Sequence, residues 1–508
     1  MHKLNQVDNL IPAPQNSSRP WQTSIYGLIL GAAVSLWFLA FRAPLWLDET
    51  ISFWQIKKGF GGILRRQGGL AFPAYSYILW LWTTLLGTTE TALRMSAVLA
   101  MLSAVFFLYR AARELFDPEI AFITAILFCI HPIVIFTSID VRPYAFAALA
   151  TTASIFVLVR LRHSDSRALA ALFGLLAAVI IYFHFIYGAM LPALAVGFFL
   201  VKLDDRKNLL RQLCFALAAF CLAFSLVIPG LLYMLRTRGS HVWDIAPPLS
   251  ELGWTLAPGW LIYVFLGIAL VAAATWKLDV SNRPQWRDAL LCASLGLIPI
   301  LILYGISVAT PLHIFVARYR LVAIPGIALS WGWIFTRINS RPLRLVFCVA
   351  IVAATAYQYW HSPFSRQHAY SWKYAIAAAE QATAQDHAPV LICSDLPEAD
   401  FSPMPTGEVV KDSTYFPFLT YYPLTAPVVA LPRALNDQAM RIGSEFLRRA
   451  AVKRQRFLAM AFAPSYPTLQ WLAYNSTGMF TVRQLGTYDD VLLLEFVPVD
   501  SAASPVSP

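Results

Sequence analysis

The feature that most constrains this chain is a series of long apolar runs. Crossing a bilayer as a helix takes about 20 mostly apolar residues. Eleven stretches approach that length: 24–41, 94–111, 119–137, 141–159, 167–183, 186–202, 212–234, 259–276, 288–309, 315–336 and 343–358. Composition agrees, since 58% of the 508 residues are hydrophobic and 13% are charged, against roughly a quarter charged in soluble domains. A water-soluble monomer and a disordered chain are both excluded. The 16 Trp and 21 Tyr suit the membrane–water interface. The expected fold class is mainly α: a polytopic transmembrane helical bundle of about eleven spans (residues 1–360) with a small C-terminal extracytoplasmic α/β domain (361–500).

A net charge of +11 ordinarily raises the question of nucleic acid. Here the basic residues flank spans, where they set orientation and touch lipid phosphates, so membrane lipid is the expected partner and nucleic acid is not. One further apolar run, 71–87, decides the topology. If it does not cross and the N-terminus is cytoplasmic, then Arg110, Arg113, Arg160, Arg162, Arg167, Lys202, Arg206, Lys207, Arg211, Lys277, Arg283, Arg287, Arg337, Arg341 and Arg344 all face the cytoplasm. A crossing would turn them outward, against the positive-inside rule. The segment 71–87 is therefore expected to lie along or dip into the outer face. No small-x-small cleavage site follows the run 24–41, which reads as a retained first helix.

The first outer loop then runs from Ala43 to about Arg94. Within it, Ile51–Gln67 mixes large apolar residues with Lys57, Lys58, Arg65 and Arg66, an interfacial amphipathic pattern kinked by Gly59, Gly61 and Gly62. Beyond His361 the spans cease. Trp372–Ala384 and Pro467–Tyr474 read as helices, and Pro389–Cys393, Arg456–Ala461 and Val491–Val497 as strands. The Ser/Pro/Ala-rich tail 501–508 reads as disordered. Of the six cysteines, five lie in apolar runs and Cys393 has no evident partner; no CxxC or Cys/His pattern indicates zinc.

Two acids follow the first span directly, in Pro44-Leu-Trp-Leu-Asp48-Glu49-Thr. Acids at a membrane edge are costly to bury and mark candidate sites, although both also suit the first turn of a helix. Asp140 lies in the short outer turn Thr137-Ser-Ile-Asp-Val-Arg142-Pro-Tyr144, on the same predicted face; taken alone, a local Asp–Arg pair ending one helix and starting the next explains it better. His184 interrupts an apolar run, as a satisfied core histidine also would. His313, Arg318 and Arg320 cluster near the start of another span. Arginines there either snorkel to headgroups or grip an anion in forked geometry. Lys57, Lys58, Arg65 and Arg66 read as lipid-facing first, with contact to a lipid-linked phosphate as the alternative. Acids beside phosphate-gripping cations suit group transfer away from a phosphate: a carboxylate takes a proton from an attacking hydroxyl, and a guanidinium stabilises the departing phosphate.

These motifs, together with Leu86-Gly-Thr-Thr-Glu90-Thr-Ala-Leu-Arg94, Tyr182-Phe-His184 and Arg318-Tyr-Arg-Leu-Val-Ala-Ile-Pro325, resemble the GT-C glycosyltransferases of the dolichyl-phosphate-mannose protein mannosyltransferase type. That group includes bacterial lipid A aminoarabinose transferases. The resemblance implies a membrane enzyme that moves a sugar from a polyprenyl-phosphate donor to an acceptor hydroxyl on a glycan, lipid or protein, with inversion, at the extracytoplasmic face of a bacterial-type inner membrane. It implies that Asp48 is the catalytic acid/base and Asp140 a second active-site acid. With Glu49 these are the expected catalytic residues, and Arg142, Tyr144, His184, His313, Arg318, Arg320 and Lys57 are the expected substrate-binding ones. Many members carry His-Pro-Pro-Leu in the first outer loop, where this chain has Gly68-Gly-Leu-Ala-Phe-Pro73. No cofactor is assigned and a divalent metal stays open. A lipid flippase or transporter is the alternative; against it, the charges gather at one leaflet edge rather than at the midplane. A structural subunit with a partner-binding outer domain is a third reading.

Overall fold

The computed structural model describes residues 20–66, 74–203, 206–236, 246–275, 277, 286–361 and 372–499. The Gly68–Pro73 stretch and the tail 501–508 lie outside the described residues. Helix α1 (Pro20–Ser35) continues as a 3-10 turn to Ala40. A non-helical strap, residues 41–46, leads into the short α2 (Leu47–Ile56). Gly59, at φ +68°, separates α2 from α3 (Gly59–Arg66). Helix α4 (Tyr75–Leu86) ends at Gly87, φ +83°.

The bundle proper follows. Thr89 caps α5 (Glu90–Leu115), and Asp117 with Pro118 starts α6 (Pro118–Ile130). Pro132 removes a backbone donor and breaks the run at His131, so α7 (Pro132–Thr137) is a separate piece. Next come α8 (Tyr144–Leu161), α9 (Arg167–Phe183), α10 (Met190–Lys202), α11 (Arg206–Ser225) and α12 (Ile228–Arg236). The series closes with α13 (Leu249–Leu256), α14 (Gly259–Ala274), α15 (Trp286–Ala309), α16 (Ala317–Arg320), α17 (Ile324–Phe335) and α18 (Arg341–His361).

All eleven apolar stretches are helical over most of their length, though several are broken rods. Among the described residues six helices are individually long and apolar enough to cross a membrane, and α13 with α14, bent by 53°, makes a seventh if the pair is one span. Ser24–Ala40, Pro118–Ile130 and Arg167–Phe183 are apolar but shorter. Small residues set the closest helix approaches. A Cβ on Gly326 of α17 would lie 2.2 Å from the Leu295 carbonyl carbon of α15, and one on Gly174 of α9 would lie 1.9 Å from the Ala216 oxygen of α11.

The two ends of the bundle differ. At one, basic residues pair across helices: Arg160 with Glu114 (3.1 Å), Arg162 with Asp288 (2.7 Å), Lys202 with Asp165 (3.6 Å), and Arg344 with Glu119 (3.3 Å). At the other lie Asp48, Asp140 and the C-terminal sheet. Helix α4 has both ends on this second side. Ala74 N donates to the Tyr182 carbonyl at 2.9 Å, and just past its far end the Thr88 carbonyl and Glu90 bind the C-terminal region. At about 1.5 Å per residue it is also too short to cross. The segment 71–87, as far as it is described, thus lies along that end.

The C-terminal region contains α19 (Trp372–Thr383), β1 (Val390–Cys393), α20 (Pro417–Tyr421), β2 (Val428–Leu431), α21 (Asp437–Val452), β3 (Phe457–Phe462), α22 (Tyr466–Asn475), β4 (Phe480–Tyr488) and β5 (Val491–Pro498). The sheet order is β2-β1-β3-β5-β4. β1 runs parallel to β2 and β3, while β5 is antiparallel to β3 and β4. The expected helices at 372 and 467 and the strands at 389, 456 and 491 are all present; α20, β2, α21 and β4 are additional. This region docks firmly on the first loop. Trp54 Nε1 donates to the Asp412 carbonyl at 2.8 Å, Lys58 pairs with Asp412, and Lys373 pairs with Glu90 at 3.0 Å. The Trp372 and Phe418 rings stack at 3.9 Å.

Candidate active site

The site is built on the first turn of α2. Glu49 Oε2 accepts from Trp46 N at 3.1 Å, closing the turn as a cap. The same carboxylate receives Arg94 of α5 in forked geometry, Nε to Oε1 at 3.2 Å and Nη2 to Oε2 at 2.8 Å. It also accepts from Val141 N at 3.1 Å. Both side chains are fully buried. Arg94 spends its remaining donors on the strap, on the carbonyls of Phe41, Ala43 and Pro44. Tyr422 holds the strap from the other side: its hydroxyl accepts from Leu45 N at 2.8 Å and donates to Glu90 at 2.7 Å. Glu49 is thus an anchor whose oxygens are occupied, and it orients the helix that carries Asp48.

Asp48 itself stays available. Its Oδ2 lies 3.7 Å from Arg318 Nη1, and its backbone carbonyl accepts from Arg142 Nη1 at 3.2 Å. Asp140 is close by and fully buried. One oxygen accepts from Trp46 Nε1 at 3.1 Å. Burial, with the charge of Glu49 adding to it, pushes the Asp140 carboxyl above the ordinary carboxylate range; Arg142 opposes this. The Arg318 guanidinium lies over the Tyr319 ring at 5.4 Å and the Trp46 ring at 6.0 Å, and Arg142 lies 5.8 Å from the Tyr144 ring. His184 sits between Tyr144 (5.6 Å) and Tyr319 (4.9 Å). Burial, then Arg142 and Arg318, lower its pKa to about 3, so the imidazole is neutral at pH 7.

Five polar atoms of this cluster are buried with no hydrogen-bond partner among the described residues: Asp140 Oδ2, Arg142 Nε, Tyr144 Oη, His184 Nδ1 and Arg318 Nε. Buried polar atoms are rarely left unpaired, and such a gathering marks a place built for something polar. Two of the five belong to guanidinium groups, which suits an anion.

Three expected substrate residues are not part of this cluster. Arg320 points toward α13, with Nη1 at 2.9 Å from Thr255 Oγ1 and 3.1 Å from Glu251 Oε2. The two arginines of Arg318-Tyr-Arg320 therefore face different neighbours, as a short helical turn dictates. His313 Nδ1 is occupied by the Ser307 carbonyl at 2.9 Å. Lys57 is exposed at the C-terminal end of α2, about two and a half turns from Asp48. Trp46, Arg94 and Tyr422 were not singled out as site residues in the sequence; Arg94 was visible only within a motif, and its partner lies 45 residues away. No group of three or more His, Cys, Asp or Glu arranged to hold a metal ion occurs among the described residues.

Comparison with known proteins gives a consistent fold. Residues 71–233 match the family model of Dolichyl-phosphate-mannose-protein mannosyltransferase. ArnT from Cupriavidus metallidurans bound to undecaprenyl phosphate is similar over 96% of this chain and 99% of its own, at 12% identity and a TM-score of 0.54. Its apo state is similar over 93% and 98%, at 13% identity and a TM-score of 0.51. The arabinofuranosyltransferase AftD from Mycobacteria is similar over 95% of this chain but 42% of its own, at 15% identity and a TM-score of 0.50. No curated protein sequence matches. The chain is a multi-pass membrane protein with the GT-C fold, and its residues 71–233 are similar to the Dolichyl-phosphate-mannose-protein mannosyltransferase family model.

Proposed function

We propose that this chain is a glycosyltransferase that moves a sugar from a polyprenyl-phosphate donor to an acceptor hydroxyl. The observation that carries the reading is Asp48 flanked by Arg142 and Arg318, each with a buried Nε donor unspent. Asp48 takes the proton of the acceptor hydroxyl as that oxygen attacks the anomeric carbon. The bond from that carbon to the phosphate oxygen breaks, and its electron pair leaves with the polyprenyl monophosphate. Arg142 and Arg318 stabilise the departing phosphate. A single displacement of this kind inverts the anomeric centre. Asp140 holds the Trp46 indole over the site, Glu49 fixes α2, and Tyr144 with neutral His184 forms an uncharged wall.

The same reading puts the site end of the bundle outside the cytoplasm of an inner membrane. The paired basic residues at the opposite end then face inward, as the positive-inside rule requires. The test is release of sugar from undecaprenyl-phosphate-linked sugars by wild type and Asp48→Asn in micelles. Turnover is expected to drop by at least a hundredfold; equal turnover in the variant removes Asp48 from the mechanism. A C-terminal cysteine is expected to react with a membrane-impermeant maleimide from outside, and protection from it would reverse the orientation.

A further inference from the structure

The sheet brings a second polar group toward Asp48. β1 lies between β2 and β3, parallel to both. The chain leaves β1 for β2 on one side and returns to β3 on the other, so strand order reverses at β1. In open sheets with parallel strands, ligands settle outside the carboxyl ends of the strands at such a reversal. Just past those ends stand Ser394 and Asp395 after β1, Arg433 after β2, and Ser465 after β3.

The frame of this crevice is satisfied without using Asp395 or Arg433. Ala434 N donates to Asp400 Oδ1 at 2.6 Å, and Asn436 Nδ2 donates to the Asp400 carbonyl at 3.3 Å, which ties the exits of β1 and β2 together. Ser465 Oγ donates to the Ser394 carbonyl at 3.4 Å, and Ser394 Oγ donates to the Tyr415 carbonyl at 2.9 Å. Asp395 is only 7% exposed. Arg433 stands near it, yet its Nε is buried with no partner. The charge of Asp48 reaches Asp395 across the junction of sheet and bundle. Burial pushes the Asp395 carboxyl up to about 7, against the pull of Trp372 and Arg433 and with Asp48 adding to the rise.

We propose that Asp395 and Arg433, at the carboxyl ends of β1 and β2, form an acceptor subsite for the hydroxyls of a saccharide, facing Asp48 across the junction. The proposal rests on the transferase reading and names the wall that takes the acceptor. A carboxylate accepts from two hydroxyls, and a guanidinium donates to hydroxyl oxygens, so the pair recognises a diol. An anionic lipid phosphate is repelled by Asp395 and stays with Arg142 and Arg318. The two substrates are thereby sorted to opposite sides of Asp48.

The experiment is saturation-transfer NMR of methyl α-mannoside, methyl β-galactoside and methyl α-arabinofuranoside with the full-length protein in micelles, from pH 6 to 8.5. At least one glycoside is expected to bind. Asp395→Asn and Arg433→Gln are each expected to weaken it at least tenfold, while undecaprenyl phosphate binding is retained as a check on folding. Affinity should rise as pH passes about 7 and Asp395 ionises, and this rise should vanish in Asp395→Asn. No glycoside binding to wild type, or unchanged binding in Asp395→Asn or Arg433→Gln, overturns the proposal. Glycoside binding that survives alongside unimpaired turnover in Asp48→Asn sinks the catalytic reading alone.

Discussion

Replacing Glu49 by Ala leaves the Arg94 guanidinium charged inside a region with no solvent access. Two charge-assisted bonds disappear, at 2.8 and 3.2 Å, each contributing about 1.5–3 kcal/mol. Trp46 N and Val141 N lose their acceptor as well. Against this, Arg94 keeps the carbonyls of Phe41, Ala43 and Pro44, which temper the cost. Breaking a buried pair by removing one partner typically costs about 3–5 kcal/mol, and about 4 kcal/mol is expected here. Reversible unfolding in mixed SDS and detergent micelles measures it. A cycle with Arg94→Met should give a coupling of at least about 2 kcal/mol, because each single change strands the other partner. A single-variant loss under about 1 kcal/mol, or additivity within about 0.5 kcal/mol, refutes the reasoning.

Arg318→Ala should raise KM for the donor severalfold more than KM for the acceptor; equal loss for both would assign Arg318 to the scaffold. Gly326→Ala forces a Cβ to within 2.2–2.5 Å of the backbone of Leu295 and Gly296 and should cost more than about 3 kcal/mol, read as loss of monodisperse protein on gel filtration. Asp395, with a folded pKa of about 7 against an ordinary 3.8, holds its proton better when folded. Stability should therefore fall as pH rises from about 4 to 7 and level off above. Thermal melting of Asp395→Asn should show a shallower pH slope across that window, and an identical slope would assign the titration elsewhere.

The helical bundle was legible because hydrocarbon leaves a long apolar run little choice but helix. The breaks at His131 and within 315–336 were not, since a broken span and a straight one have the same composition. Asp48, Asp140, Arg142, Tyr144, His184 and Arg318 could be named as a group from motif order, and the structure gathers them. Glu49 could not be told apart from Asp48. Its role is fixed by Arg94 and by Val141 N, contacts 45 and 92 residues away that no local pattern reveals. In the sheet, β4 is largely exposed and so shows no clear buried pattern. Nothing local in the sequence marks Asp395; only the strand order puts it at a reversal point.

The Tyr422 hydroxyl on the strap carries a consequence for biosynthesis. Tyr422 belongs to a region whose sheet closes only when β5, residues 491–498, slots between β3 and β4. The acid-bearing helix, though translated near the start, therefore waits for the last strand before its surroundings harden. On the proposed transferase reading, a nascent chain arrested before Val491 lacks β5 and should be inserted without turnover.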